Sequence, residues 1–440
     1  MSATPFDSRL YGALLSDAEI AALLDDGAQL RAMLAVEAAL AEAEGACGVI
    51  PQSAAQSIAQ VARTLTIDPD DLAEATARDG IPVPGLVAAL RRAVGGEAAS
   101  FVHWGATTQD VMDSGLVLRL RAILDSLDGR LERLCGRLAE RAGAERDTVM
   151  AARTRGQQAT PTTLGLKLAG WRAPLQRHRQ RLKNLRPRLE RLSFGGASGT
   201  LAALGDKALA VEAALAERLD LAIPPLPWHS QRDGLAELAG WLALVTGSLG
   251  KIAGDVRLLS HNEIGELREG SGGGSSTMPQ KANPVRSEAV LALARLNAGL
   301  AGQMHLAVLH EQERDGAAWQ QEWLLLPQML LACGAALTHT NAVIEDLQVD
   351  PARMRANLEA ANGLVLAEAA SFALSRHMPR EEAQALVKQA CKEVAASGRH
   401  LMDVLAELSD APVDWSALRD PASYTGMSAE LIERALNDER

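Results

Sequence analysis

Aromatic side chains are scarce, at 3% of the 440 residues, with only two tyrosines and four phenylalanines. Sandwiches and barrels draw on aromatic and β-branched residues, so this scarcity weighs against an all-β fold. Cysteine is as rare. Cys47, Cys135, Cys333 and Cys391 lie far apart, a spacing that fits neither a zinc site nor a disulfide framework. Free thiols in a reducing cytoplasm are expected. The nine histidines form no HExxH or related pattern, so no metal site is expected. Long apolar runs are missing too. The longest, around Leu324 to Leu337, is interrupted by Pro327 and Gln328, and a membrane span needs ~18 consecutive apolar residues. The first ten residues contain Pro5 and Asp7 and no apolar core, so no secretory signal is expected. Excess positive charge is also absent. The net charge of −11 disfavours a general nucleic-acid binder. It leaves room for a small anionic substrate met by a local cluster of Lys and Arg.

Alanine and leucine fill the gap, and both are good helix formers. With 48% hydrophobic residues the chain has the material for a folded core rather than disorder. At ~150 residues per domain, its length allows about three domains. Leu235, Leu238, Leu242, Val245, Leu249, Ile252, Val256 and Leu259 alternate steps of three and four, the seam of a bundle helix. A second seam runs through Leu116, Leu120, Ile123, Leu127, Leu131, Leu134 and Leu138. Further helices are expected over Asp17 to Glu44, Thr162 to Leu189 with a kink at Pro174, Ser287 to Leu309, and Arg380 to Ser397. Such seams must pack on one another. The expected fold is all-α, with an N-terminal helical domain over 1–110, a central long-helix bundle over 111–345 and a C-terminal helical domain over 346–440. Past Leu259 the first seam continues through Glu263 and Glu266. Either it reaches a polar cavity there, or the helix has left the core.

The segment that bears chemistry lies near 270–284, Gly-Ser-Gly-Gly-Gly-Ser-Ser-Thr-Met-Pro-Gln-Lys-Ala-Asn-Pro. Four glycines in five residues cannot continue a helix cheaply, so a mobile loop is expected between long helices, of the kind that closes over substrates. It is no nucleotide phosphate loop, since G-x-x-x-x-G-K-[ST] is absent. The glycines of Gly195 to Thr200 have the wrong spacing for a dinucleotide site, and a helix-to-helix bend is expected there.

The run from Gly274 to Pro284 resembles the signature of the aspartase/fumarase superfamily. His103-Trp-Gly-Ala-Thr-Thr-Gln-Asp110 and Arg153-Thr-Arg-Gly-Gln-Gln-Ala-Thr-Pro161 resemble that family's other two regions, in order and spacing. The resemblance implies a three-domain subunit, a cytoplasmic homotetramer around a shared helix bundle, and active sites shared between subunits. Family chemistry removes a proton next to a carboxylate and expels a group from the β-carbon. It needs a base and stabilisation of a doubly charged intermediate. By position, Ser275 is the catalytic serine, which must be ionised or activated by amides and cations. Lys281 and Asn283 match carboxylate-holding residues, and Thr107, Thr108 and Thr154 match further substrate contacts. His103 lines the site or is a hydrogen-bonded structural histidine. Arg286 and Arg314 are candidate substrate ligands, with a structural arginine as the alternative for each.

The second region departs from the pattern. Relatives that eliminate amines or water carry Thr-His there, and many carry a second His three residues later; this chain has Arg155 and Gln158. Arginine, with a pKa above ~12, cannot serve as a general acid. A carboxylate leaving group, with a pKa of ~4, needs none. The departure favours carboxylate as leaving group or, in reverse, as nucleophile, which describes the muconate-lactonising cycloisomerases of aromatic catabolism. The stretch from His310 to Trp323 and the segment Tyr424 to Ala429 resemble that branch. The expected substrate is a small tricarboxylate, with no metal or organic cofactor and no nucleic-acid or membrane partner. Rival expectations are an adenylosuccinate lyase-like C–N lyase, a cycloisomerase of another substituted muconate, and a catalytically silent oligomeric scaffold.

Overall fold

The computed structural model describes residues 4–270, 272–274 and 277–438. Five long helices set its architecture: α1 (Asp26–Ala46), α2 (Thr108–Ala144), α3 (Leu164–Leu189), α4 (Asp233–Leu259) and α5 (Val285–Leu306), followed by α6 (Gly316–Glu345) as a sixth. Shorter helices fill both ends of the chain. Among the described residues, sheet is confined to the hairpin β1 (Val149–Thr154) and β2 (Gln157–Thr163) and one two-residue pairing, Leu267–Arg268 with Gln348–Val349. The fold is all-α, as the composition predicts.

The seams are buried as their spacing requires. Every member of the α4 seam is at most 4% exposed, and the α2 seam from Leu120 to Leu138 is fully buried. Leu116 is only half-buried, and Val117 takes the core position beside it.

One local expectation is corrected. Asp17 to Glu44 is two helices, not one. Asp25 leaves the helical region and accepts the Ala28 amide at 2.6 Å, so it caps α1 and stops the helix Ala18–Leu24 before it. Pro174 does not interrupt α3, and Pro327 does not break α6. By length and composition α4 and α6 could each cross a bilayer, yet 61% and 67% of their most apolar windows are buried within the protein, as in core helices. The hairpin was not expected. Its tip, Arg155-Gly156, has positive φ at both residues, 52° and 80°, the two-residue turn whose twist matches paired strands.

The chain divides into two compact units, each discontinuous in sequence. The first comprises Met1–Arg130, His178–Gly247 and Ala292–Thr338; the second comprises Leu131–Arg177, Ser248–Leu291 and His339–Arg440. In the first unit α1 packs on the helix Gln52–Thr64 and on Ala208–Leu219, around Leu34, Leu40, Ile58, Leu86 and Phe194. Arg130 ties it by an ion pair to Asp17 and by hydrogen bonds to Glu19 at 2.7 Å and Thr338 at 2.9 Å. In the second unit the C-terminal helices gather around Leu358, Leu374, Val387, Val394 and Leu405.

Candidate active site

In the first unit, His103, Thr107 and Thr108 lead into the N-terminus of α2. His103 and Gly105 both have positive φ, 62° and 71°. A Cβ on Gly105 would sit 2.7 Å from the Leu204 side chain, so this close approach admits only glycine. Asp110, 1% exposed, organises the segment. Its Oδ2 accepts the Thr107 amide at 2.9 Å and the Gly196 amide at 3.0 Å. Its Oδ1 accepts the Gly195 amide at 2.9 Å and lies 2.7 Å from Nε2 of buried His229. One carboxylate thus locks the threonine-bearing segment to the glycine bend at 195–200. Gln109, fully buried, donates to the His229 carbonyl at 2.8 Å and accepts from Nε of Arg314 at 2.9 Å. Arg314 also donates to the Ala197 carbonyl at 3.3 Å. It is therefore held beside the threonine segment and the glycine bend.

Beneath these residues Arg232 is 1% exposed and bridges Asp113 and Glu322 through four hydrogen bonds of 2.6–3.1 Å. It also stacks 4.7 Å over the Trp228 ring. Burial alone would lower the Arg232 pKa; the two carboxylates outweigh it and raise the pKa above the ordinary value.

The second unit holds the remaining candidates. Thr154, Arg155 and Gln158 are exposed at the hairpin tip, and Gln158 donates to the Asn357 carbonyl at 3.3 Å. Arg153, not Arg155, takes the nearby carboxylate. It grips fully buried Glu266 at 2.6 and 2.8 Å, and Asn357 adds a bond at 2.8 Å. Glu263 is exposed. The two acids past Leu259 therefore part company: the helix has ended, one carboxylate is buried in an ion pair and the other faces solvent. Close by, burial lowers the Lys167 pKa from its ordinary value against the pull of Asp255.

The glycine-rich loop is pinned at its base. Gly273 and Asn283 exchange backbone hydrogen bonds of 2.8 and 2.9 Å. Glu269, just before the loop, accepts the Ser287 amide at 2.8 Å and the Arg286 amide at 3.3 Å, so it caps α5 just after the loop. Lys281 is exposed, Asn283 is half-buried, and Arg286 pairs with Asp346 at 3.4 Å. Ser275, the expected catalytic serine, lies outside the described residues. Among the described residues, no group of three or more His, Cys, Asp or Glu is placed to hold a metal ion.

Sequence reading passed over Asp110, Gln109 and Glu269. The first two stand inside the recognised motif, but their roles depend on partners about 85 to 205 residues away.

Comparison with known proteins identifies the family. A family model described as "Lyase" matches residues 11–297, and one described as "Adenylosuccinate lyase C-terminus" matches 363–435. The chain is 48% identical to a 3-carboxy-cis,cis-muconate cycloisomerase of Pseudomonas aeruginosa, over 98% of this chain and 96% of that one. It is 44% identical to the like-named protein of Bradyrhizobium diazoefficiens, over 98% of each. The crystal structure of the 3-carboxy-cis,cis-muconate lactonizing enzyme from Pseudomonas putida superposes with a TM-score of 0.92 at 41% identity, covering 98% of this chain and 99% of that one. The chain belongs to the lyase family of the aspartase/fumarase superfamily, and it is an enzyme.

Proposed function

We propose that the chain is a cycloisomerase that interconverts 3-carboxy-cis,cis-muconate and 4-carboxymuconolactone in aromatic catabolism in the cytoplasm. The observation that carries the reading is Arg155 at the exposed hairpin tip, where an amine- or water-eliminating relative would carry histidine. A carboxylate nucleophile or leaving group needs no general acid at that position.

In the lactonising direction, an oxygen of one terminal carboxylate bonds to the β-carbon of the alkene conjugated to the other terminal carboxylate. The π pair moves through the aci-carboxylate and takes a proton at the α-carbon from the Ser275 hydroxyl; in reverse, ionised Ser275 removes it. Lys281, Asn283, Arg155, Gln158, Thr107, Thr108 and Thr154 hold the carboxylates. Arg314, anchored through Nε and one terminal nitrogen, adds positive charge. Arg286 pairs with Asp346 and acts more remotely. The step as written calls for no metal or organic cofactor. Local cation clusters draw in the trianion against the sign of the whole protein.

We propose further that the enzyme works as a homotetramer with sites shared between subunits, its contacts carried by the central segment 111–345 between the domains 1–110 and 346–440. Leu244, Leu258 and Leu324 on the long helices are 47–69% exposed, and apolar surface of this kind marks association sites. Candidate site residues fall in both compact units. Subunits of two impaired variants, Ser275→Ala and Arg155→Ala, should regain activity when reassembled together.

The deciding assay follows 3-carboxymuconate absorbance with purified enzyme. It should fall, with adenylosuccinate unchanged. Turnover of adenylosuccinate alone would make the chain a C–N lyase, another muconate consumed in preference would change the substrate, and a well-folded tetramer inert to every candidate would make it a silent scaffold.

A further inference from the structure

His103 Nδ1 lies 2.6 Å from Oε1 of Glu37, a residue 66 positions earlier on α1 that is 1% exposed. Among the described residues no other hydrogen bond engages the His103 ring, and 15% of its side-chain surface remains open. We propose that Glu37 is a positioning residue that holds His103 as an imidazolium and leaves Nε2–H free to receive a substrate carboxylate. This rests on the reading of His103 as part of the active site.

Several observations converge on the pair. Backbone at φ 62° is uncommon for a residue with a Cβ, and such strain persists where surrounding contacts over-determine it. His103 stands four residues before Thr107, whose segment Asp110 locks in place. With Nδ1 committed to a carboxylate, the ring orientation and the identity of the free nitrogen are both set. The charged groups facing the ring are Glu37 from α1, Asp110 from α2 and Arg91 from the helix Val83–Val94. Burial alone would favour the neutral ring; Glu37, by charge and hydrogen bond, and Asp110 outweigh burial and Arg91, and raise the His103 pKa.

A second acid sharpens the arrangement. Glu44, two turns along α1, is 1% exposed, and neither of its oxygens has a hydrogen-bond partner. Burial and the Glu37 charge push its pKa up to about 9, so it is neutral at pH 7. An acid kept uncharged chiefly by burial thus lies two turns from Glu37 on the same helix. The stripe Leu30, Leu34, Glu37, Ala41, Glu44 places both acids at core positions of an otherwise apolar helix face.

The test uses the full-length enzyme with ¹⁵N-labelled histidine, in wild type, Glu37→Gln, Glu37→Asp and, to assign the signal, His103→Gln. In wild type the His103 titration should lie above that of an ordinary histidine, and tricarballylate, a small tricarboxylate probe, should perturb its Nε2 resonance. In Glu37→Gln the titration should fall by at least one pH unit and tricarballylate should bind about tenfold more weakly. KM for 3-carboxymuconate should rise more than kcat falls, and the alkaline limb of kcat/KM should move to lower pH. Glu37→Asp should restore part of each. An unchanged titration in a folded Glu37→Gln enzyme overturns the pairing. A shifted titration with unchanged tricarballylate binding overturns the role in substrate binding. Both readouts are independent of turnover, so an enzyme inert to 3-carboxymuconate would sink the function proposed above and leave this result standing.

Discussion

The two groups of candidate residues are built differently. In the first unit, Asp110 gathers three backbone amides and His229, Gln109 is fully buried between His229 and Arg314, and Glu37 holds His103. Buried Asp110 fixes the Thr107 amide and the glycine bend, so the threonine segment is pre-organised. In the second unit, Arg155 and Lys281 project from a hairpin tip and from a loop whose base the Gly273–Asn283 pair pins. The contrast separates a fixed receptive surface, maintained at a cost in buried charge, from exposed cations that can adapt to an incoming anion. Binding groups on a rigid scaffold give precision, and groups on loops supply the motion catalysis needs.

Four substitutions would break or sharpen that contrast. The largest expected effect is on chemistry alone: Ser275→Ala should lower kcat/KM for 3-carboxymuconate by about 10³-fold, roughly 4 kcal/mol, with the denaturation midpoint unchanged. Near wild-type turnover would remove Ser275 from the mechanism. Asp110→Asn comes next and should do the reverse. It sets an amide against donors that require an acceptor and strips His229 of its buried partner, so urea unfolding should show a loss of about 3 kcal/mol. A loss below about 0.5 kcal/mol would mean the first unit is not organised through this carboxylate.

Arg155→Ala probes the opposite pole. No hydrogen bond holds the side chain among the described residues, so stability should stay within about 0.5 kcal/mol while kcat/KM falls about 10²-fold, roughly 2.7 kcal/mol. Stability loss without loss of activity would make the hairpin tip structural. The smallest effect depends on pH. Glu44 has a folded pKa of about 9 against 4.5 for the free side chain, so the folded chain keeps a proton that the unfolded chain releases across that window. Stability therefore falls as pH rises from 4.5 toward 9, at no more than ~1.4 kcal/mol per unit for one proton. Glu44→Met should flatten that slope, stabilising by about 2 kcal/mol at pH 8 and little at pH 4.5 in thermal unfolding. Equal gains at both values would show that Glu44 does not carry the slope.

Much of this was legible in advance. The α2 and α4 seams announce long helices because burial of one face imposes a period of three and four on the chain itself. The all-α class follows from composition, and the family from a contiguous loop signature. The hairpin at 149–163 was missed because its strands are short and only the Arg155-Gly156 turn punctuates them. The break at Asp25 was missed because its capping bond competes with an apolar period that continues on both sides. Glu37 and Glu44 had a legible signal, acids on a core stripe, whose meaning required knowing what packs against α1.

What the sequence alone determined is therefore what is local: helix faces, the family's loop signature, and Arg155 at the position on which the proposed chemistry rests. Tertiary structure decided which charges meet. Glu266 lies two residues closer in sequence to Arg155 than to Arg153 but pairs with Arg153, because Arg153 is on the paired strand while Arg155 stands in the turn. His103 is set against Glu37, and Asp110 against His229, across gaps of 66 and 119 residues. Periodicity is written along the chain, but a buried charge must find its partner in space, and packing selects that partner.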